Sequence, residues 1–231
     1  MANERVRVAM ASVIVGAALL AGCGTTVSGE PVAQSAGSAP RHVPADLKSM
    51  LIEPTAFPAP YTALELPPQE ASQAAQDLSG VAAGAKVDPP GCTAPQRKKS
   101  GEQPVVAVGT DNAKRATISV ELARATDALG AFEDRVKQCP DVTTTIEGAT
   151  ASVRSELLPP PPLDADSTLA LSRSIRSGVG STQVTQSMLT LIAQIGDVRV
   201  SATHMTFGGD KPDTAALDQV FTEAVQRVRD A

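Results

Sequence analysis

Few residues in this chain are equipped for chemistry. It has two histidines, His42 and His204, too few for a metal cage or a histidine-rich active site. His204 closes the run Val198-Arg199-Val200-Ser201-Ala202-Thr203-His204, in phase with Val198 and Val200. On a strand that phase puts it on the half-buried side. A base in a groove and a packed strand-end histidine both fit the position. A Ser or carboxylate within ~3 Å would turn it into a candidate general base. Gly178-Val179-Gly180-Ser181-Thr182 has the small residues of a phosphate loop. It lacks a Lys after the second Gly and a helix behind it, both of which the cradle needs, so it reads as a hairpin turn. No Gly-x-Ser-x-Gly elbow occurs. The carboxylate pairs Asp164/Asp166 and Glu133/Asp134 lie in polar stretches that suit a solvated surface. Arg97-Lys98-Lys99 could touch a phosphate or a lipid headgroup, but in a Gly/Pro-rich loop it reads as a solvated tip.

The three cysteines say more. Leu20-Ala21-Gly22-Cys23 follows Arg5, Arg7 and an uncharged apolar run, Val8 to Leu20. That run is about 13 residues, short of the ~20 that cross a bilayer, and fits the apolar region of a cleaved export signal. The tetrad resembles the bacterial lipobox. The resemblance implies a signal peptide over 1–22, cleavage before Cys23, and a diacylglyceryl thioether on Cys23 that anchors the chain to the membrane. Two or three acyl chains suffice for stable anchoring at ~0.8 kcal/mol per buried CH₂. Cys92 and Cys139 then remain as an even pair, and an exported compartment permits a disulfide between them. Closing that loop is worth ~4 kcal/mol by chain entropy. Two buried thiols, or one reactive thiol, are the alternatives. A metal site would need His or carboxylate neighbours at ligand spacing, which neither Cys has.

Composition narrows the function classes. Lys and Arg total 20 against 25 Asp and Glu, a net charge of −5. A nucleic-acid binder would show a basic surplus on one face. Aromatics are 2% and Trp is absent, which leaves little for a base- or sugar-stacking platform. At 42% hydrophobic the chain can build a core. No cofactor is expected.

The elements follow from spacing. Residues 23–45 hold the lipidated Cys and a Gly/Ser/Pro-rich tether. A single domain is expected over 46–231. Asp46 can cap a short helix bearing Leu47, Met50 and Leu51. The proline-rich stretch 53–68 reads as extended coil, Gln69 to Leu78 as a weak helix, and 80–103 as a loop. Val105 to Val108 and Ile118 to Leu122 read as strands. Thr126 or Asp127 should cap a helix carrying Leu129, Phe132, Val136 and Cys139, ended by Pro140. Further strands are expected around Val142 and Ile146, Val153 to Leu158, Leu169 to Ile175, Val184 to Ile195, and Val198 to Phe207. Pro159 to Pro162 must be a surface connection. Leu217, Val220, Phe221, Ala224, Val225 and Val228 mark an amphipathic last helix. Strands in runs joined by turns predict an α+β domain, an antiparallel sheet with helices packed on one face and one disulfide.

Two segments carry a resemblance. One is Pro89-Pro90-Gly91-Cys92 with Val106-Ala107-Val108-Gly109 and Ala116-Thr117-Ile118-Ser119-Val120. The other is Val136-Lys137-Gln138-Cys139-Pro140. Together they resemble mycobacterial and related actinobacterial lipoproteins whose exported domain is similar to the extracellular sensor domain of PknH-type receptor serine/threonine kinases. The resemblance spans about 46–231. It implies an α+β fold with a groove, no catalysis, and a ligand of unknown identity. It carries over only Cys92 and Cys139, and unlike the kinase domain this chain has no Trp and a single candidate disulfide. The expected protein is thus a non-catalytic cell-envelope lipoprotein on the outer face of the membrane, with no nucleic-acid partner. It would bind a small or lipid-like ligand or an envelope protein; a groove between sheet and helices lined by residues such as Met188, Leu191 and Phe221 would favour binding, and close packing there an interaction protein. An interaction lipoprotein without a pocket and an exported hydrolase are the alternatives.

Overall fold

A computed structural model describes residues 40–93, 101–208 and 210–231. In chain order the elements are α1 (Leu47–Met50), β1 (Thr62–Glu65), α2 (Pro68–Asp77), β2 (Lys86–Asp88), β3 (Val105–Asp111), β4 (Ala116–Arg124), α3 (Leu129–Gln138), β5 (Asp141–Ile146), β6 (Ala149–Leu158), β7 (Ser167–Ser177), β8 (Val184–Ile195), β9 (Val198–Phe207) and α4 (Thr214–Arg229). The strands form one antiparallel sheet ordered β1-β3-β4-β9-β8-β7-β6-β5-β2. From β3 to β9 the chain is read mostly hairpin by hairpin, which is why the expected runs of strands became neighbours. Glu147 and Gly148 both take positive φ, the twist that a two-residue hairpin between β5 and β6 requires.

Register divides the side chains between two faces. Ala107, Val120, Ala202, Leu191 and Ala170 align across five strands on the first face. There they meet the apolar stripe of α4, with Leu217, Val220, Phe221 and Ala224 all buried. Asp213 caps that helix by accepting from Ala216 N at 3.1 Å. α1 packs beside it, capped as expected by Asp46. On the second face Leu169, Leu171 and Ile192 pack under Leu129 and Phe132 of α3. The α+β class and the antiparallel sheet are as expected; the helices, expected on one face, are shared between both. The reason lies in strand parity: Ala170 and Leu191 point one way, Leu169 and Ile192 the other, so each face offers its own apolar patch.

Cys92 and Cys139 form the expected disulfide, with S–S 2.03 Å and a sequence separation of 47. It ties the turn Pro90–Cys92 to the end of α3. Neither Thr126 nor Asp127 caps α3, whose N-cap is Ala128 without a side-chain bond. Asp127 is engaged elsewhere: its carbonyl accepts from Gln194 Nε2 and Arg199 Nη2, and its carboxylate lies 3.6 Å from Arg199. The fold also reaches further towards the N-terminus than residue 46. Val43 is 3% exposed within the core, and Arg41 O accepts from Asp197 N at 2.7 Å. A Cβ on Gly196 would meet Arg41 O at 2.2 Å, so glycine is what lets this segment lie on the β8–β9 turn.

Candidate functional site

His204 faces α4 from β9 and is 2% exposed. Its Nε2 accepts from Asp213 N at 3.3 Å, which leaves the ring proton on Nδ1, buried and without a partner among the described residues. Tyr61 meets the ring edge-on at 6.5 Å and donates to Asp213 Oδ2 at 3.4 Å. Burial pushes the His204 pKa down, against the pull of Asp213. Burial also raises Tyr61 to about 12, helped by the charges of Asp213 and Asp111. No hydroxyl or carboxylate is hydrogen-bonded to His204 among the described residues, so the partner that a general base would activate is missing from its contacts. Its role here is to seat the first turn of α4.

A second cluster holds the lead-in to the domain. The Arg124 side chain is 10% exposed and spends its guanidinium on four acceptors. Nε donates to Glu102 Oε2 at 2.9 Å, Nη1 to Val43 O at 2.8 Å and Asp197 Oδ1 at 3.0 Å, and Nη2 to Ala45 O. Glu102 in turn accepts from Leu47 N at 2.6 Å, and His42 Nδ1 lies 2.7 Å from Asp197 Oδ2. Burial works against ionisation of Asp197. The bonds from His42 and Val43 N–H, with the charge of Arg124, outweigh it and hold the carboxyl below its usual range. An open cleft of about 500 Å3 borders this cluster, floored by Arg124, Glu102 and Asp197. Arg124 answers both Glu102 and Asp197, so the arrangement fastens residues 41–47 to the sheet.

The second face is chemically different from the first. Ser119, Glu121, Thr190, Thr203 and Gln194 are all buried on it, where a packed core would carry aliphatic groups. Thr190 and Thr203 satisfy each other at 3.0 Å. The Thr117 hydroxyl, on the same register row as Met205, Met188 and Arg173, is buried with no partner among the described residues. Arg173 lies half-buried on β7, beneath the segment that leaves α2. Its Nε donates to Ser155 Oγ at 3.2 Å and its Nη1 to Leu78 O at 3.3 Å. Burial alone lowers its pKa, to about 10. No carboxylate among the described residues is paired with it. A smaller open cleft, about 330 Å3, opens beside Ser155 between α3 and β6, with Val136, Lys137 and Leu157 on its walls.

The other expected residues fall into structural roles. Met188, Leu191 and Phe221 do not line a common groove: Leu191 of the sheet and Phe221 of α4 share one packed core cluster, while Met188, an odd number of strand positions from Leu191, points to the second face. Gly178 and Gly180, both at positive φ, make the β7–β8 turn, and a strand follows it. Asp164 pairs with Arg229, Asp166 accepts from Gly196 N, and Glu133 pairs with Lys137. Cys23 and Arg97-Lys98-Lys99 lie outside the described residues. Arg173 is the residue that sequence reading passed over. Its signal was there: it stands in the apolar phase of β7, between Leu171 and Ile175.

A family model described as a domain of unknown function, DUF5642, matches residues 52–229. The chain belongs to that family. The span of DUF5642 takes in every strand of the sheet, α2 to α4 and the disulfide. No curated relative matches the chain in sequence. Among solved structures, the extracellular domain of PknH from Mycobacterium tuberculosis is similar at 12% identity and a TM-score of 0.50, over 80% of this chain and 95% of that one. A putative uncharacterized protein from Mycobacterium smegmatis, the Rv0999 ortholog, is similar at 17% identity and a TM-score of 0.47, over 76% of this chain and 92% of that one. At these identities the likeness is one of fold, and at that level the resemblance to the PknH-type extracellular domain holds.

Proposed function

We propose that this DUF5642 member is an exported, lipid-anchored protein of the cell envelope, held on the outer face of the membrane through Cys23, whose domain binds a ligand without transforming it. The observation that carries the binding role is the second face of the sheet. Buried polar groups cost stability unless they are satisfied, and chains keep them chiefly where function requires. Here Ser119, Glu121, Thr203, Thr190 and Gln194 are buried on one face of the sheet, with half-buried Arg173 beyond them, while the first face beneath α4 is mostly apolar. The lipobox-like tetrad and the disulfide both speak for export. The fold it shares with an extracellular domain is in keeping with that address. The burial of His204, with its ring spent on α4, weighs against the hydrolase reading.

Native mass spectrometry of the full chain extracted from its own envelope tests both halves. A covalent lipid mass on the peptide starting at Cys23 should survive unfolding. A second, non-covalent mass should be present in the folded protein and lost on unfolding. A Cys23 peptide without lipid removes the anchor. A folded protein that carries no second mass favours the interaction lipoprotein instead.

A further inference from the structure

Arg173 is a cation placed where proteins rarely leave one unanswered. Two of its five N–H donors are used, and both acceptors, Leu78 O and Ser155 Oγ, are neutral. The acidic residue of this face, Glu121, stands three strands away across the sheet and four residues further along it, by the register Glu121–Ser201–Ile192–Leu169. That separation is more than about 15 Å on strand spacings alone. Ser155 holds one edge of the guanidinium and the Leu78 carbonyl another, while the backbone of Gly80 lies close against its Cδ. These contacts fix the plane of the fork and leave further donors on it free. A partly buried guanidinium held in one orientation is the donor set that planar or tetrahedral oxyanions accept bidentately.

We propose that Arg173 is the anchor for an oxyanion, the carboxylate or phosphate group of the ligand, bound on the second face between α3 and the Leu78–Gly80 segment. The proposal rests on the binding role argued above and adds the charge of what is bound. Lys137 on α3, and Arg154 and Glu156 on β6, also border this region, but Lys137 is paired with Glu133 and Arg154 with Asp141. On the strands of this face, Arg173 is the guanidinium with no charged partner among the described residues, and its charge is left for a ligand.

The test is an NMR titration of the 15N-labelled full chain, reading arginine Nε–H signals while sodium phosphate or sodium acetate replaces chloride at constant ionic strength. Arg173 should shift and saturate at a concentration at least tenfold below that at which exposed Arg154 and Arg176 respond. Saturation by phosphate alone assigns a phosphate head group, by acetate alone a carboxylate; either supports the anchor. Arg173→Gln should abolish the saturable response of the neighbouring Leu78 to Gly80 amides, and Arg173→Lys should weaken it at least tenfold. If Arg173 responds no more tightly than Arg154, the proposal is overturned, and that comparison needs no variant to fold. A saturating response that persists in folded Arg173→Gln overturns it equally. A mass that co-purifies from the envelope while Arg173 stays silent removes the anchor and leaves the binding role standing.

Discussion

At the scale of single residues, two side chains show how placement decides role. His204 is held neutral by burial, so its folded pKa lies below its unfolded value near 6.5. The unfolded chain then takes up a proton first as pH falls, and stability declines from about pH 6.5 down to the folded pKa. Unfolding measured in denaturant at pH 7.5 and 5 should show that loss. In His204→Asn, which keeps an acceptor for Asp213 N, the part of the loss due to this residue should vanish. Arg124 is the opposite case, a cation with four of its five donors engaged and two carboxylates beside it. Arg124→Met leaves Asp197 and Glu102 short of a partner, and should cost about 3–5 kcal/mol in chemical denaturation. Amide exchange at Val43 and Leu47, which this cluster holds, should rise with it. A loss under 1 kcal/mol would mean that residues 41–47 are held by Val43 and Leu47 packing alone.

At the scale of elements, α4 carries the first face. Its stripe is buried from Leu217 to Val228, with Phe221 1% exposed. An isolated helix of this length is marginal in water, so the sheet is what makes it a helix. Phe221→Ala should cost roughly 3–5 kcal/mol, a large share of a domain's ~5–15 kcal/mol, while Gln226→Ala on the solvent side should change little. Calorimetry of both variants checks this, and equal melting points would place α4 outside the core. This helix was legible because its pattern is long and its period is its own. So were β4, β8 and β9, whose apolar residues alternate or run unbroken, and the Cys139-Pro140 end of α3. β1 and β2 were not. The first sits in a stretch read as proline-rich coil and the second in one read as loop. They are four and three residues long, and they are strands because β3 and β5 offer them partners, which no periodicity of their own reveals. The placement of α3 on the second face was hidden for a related reason: the helix shows a stripe, but which side of the sheet receives it depends on the parity of Leu169 and Ile192 in strands further along the chain.

At the scale of the whole molecule, the sheet has two ends with different duties. Residues 41–47 are fastened beside the β8–β9 turn, where Gly196 and Asp197 receive them. The β7–β8 turn lies at the other end of strands that run about 40 Å. Between the ends, one face is a mostly apolar core under α4, and the other joins an apolar patch under α3 to a row of buried polar groups and Arg173, beneath the segment after α2. Cys23→Ser should leave a precursor that carries no lipid and is not cut before residue 23, read from its N-terminal peptide mass. A lipid-modified product from that variant would show that the anchor is elsewhere.

Binding on the second face should leave its mark on backbone exchange there. The measurement is hydrogen–deuterium exchange of the full chain, with and without an organic extract of its own envelope. Slowed exchange is expected to be confined to residues 78–85, α3 and the β6–β7 hairpin, with α4 unchanged. Protection that falls on α4 and the residues of the first face, or none anywhere in the presence of the extract, would contradict binding on the second face.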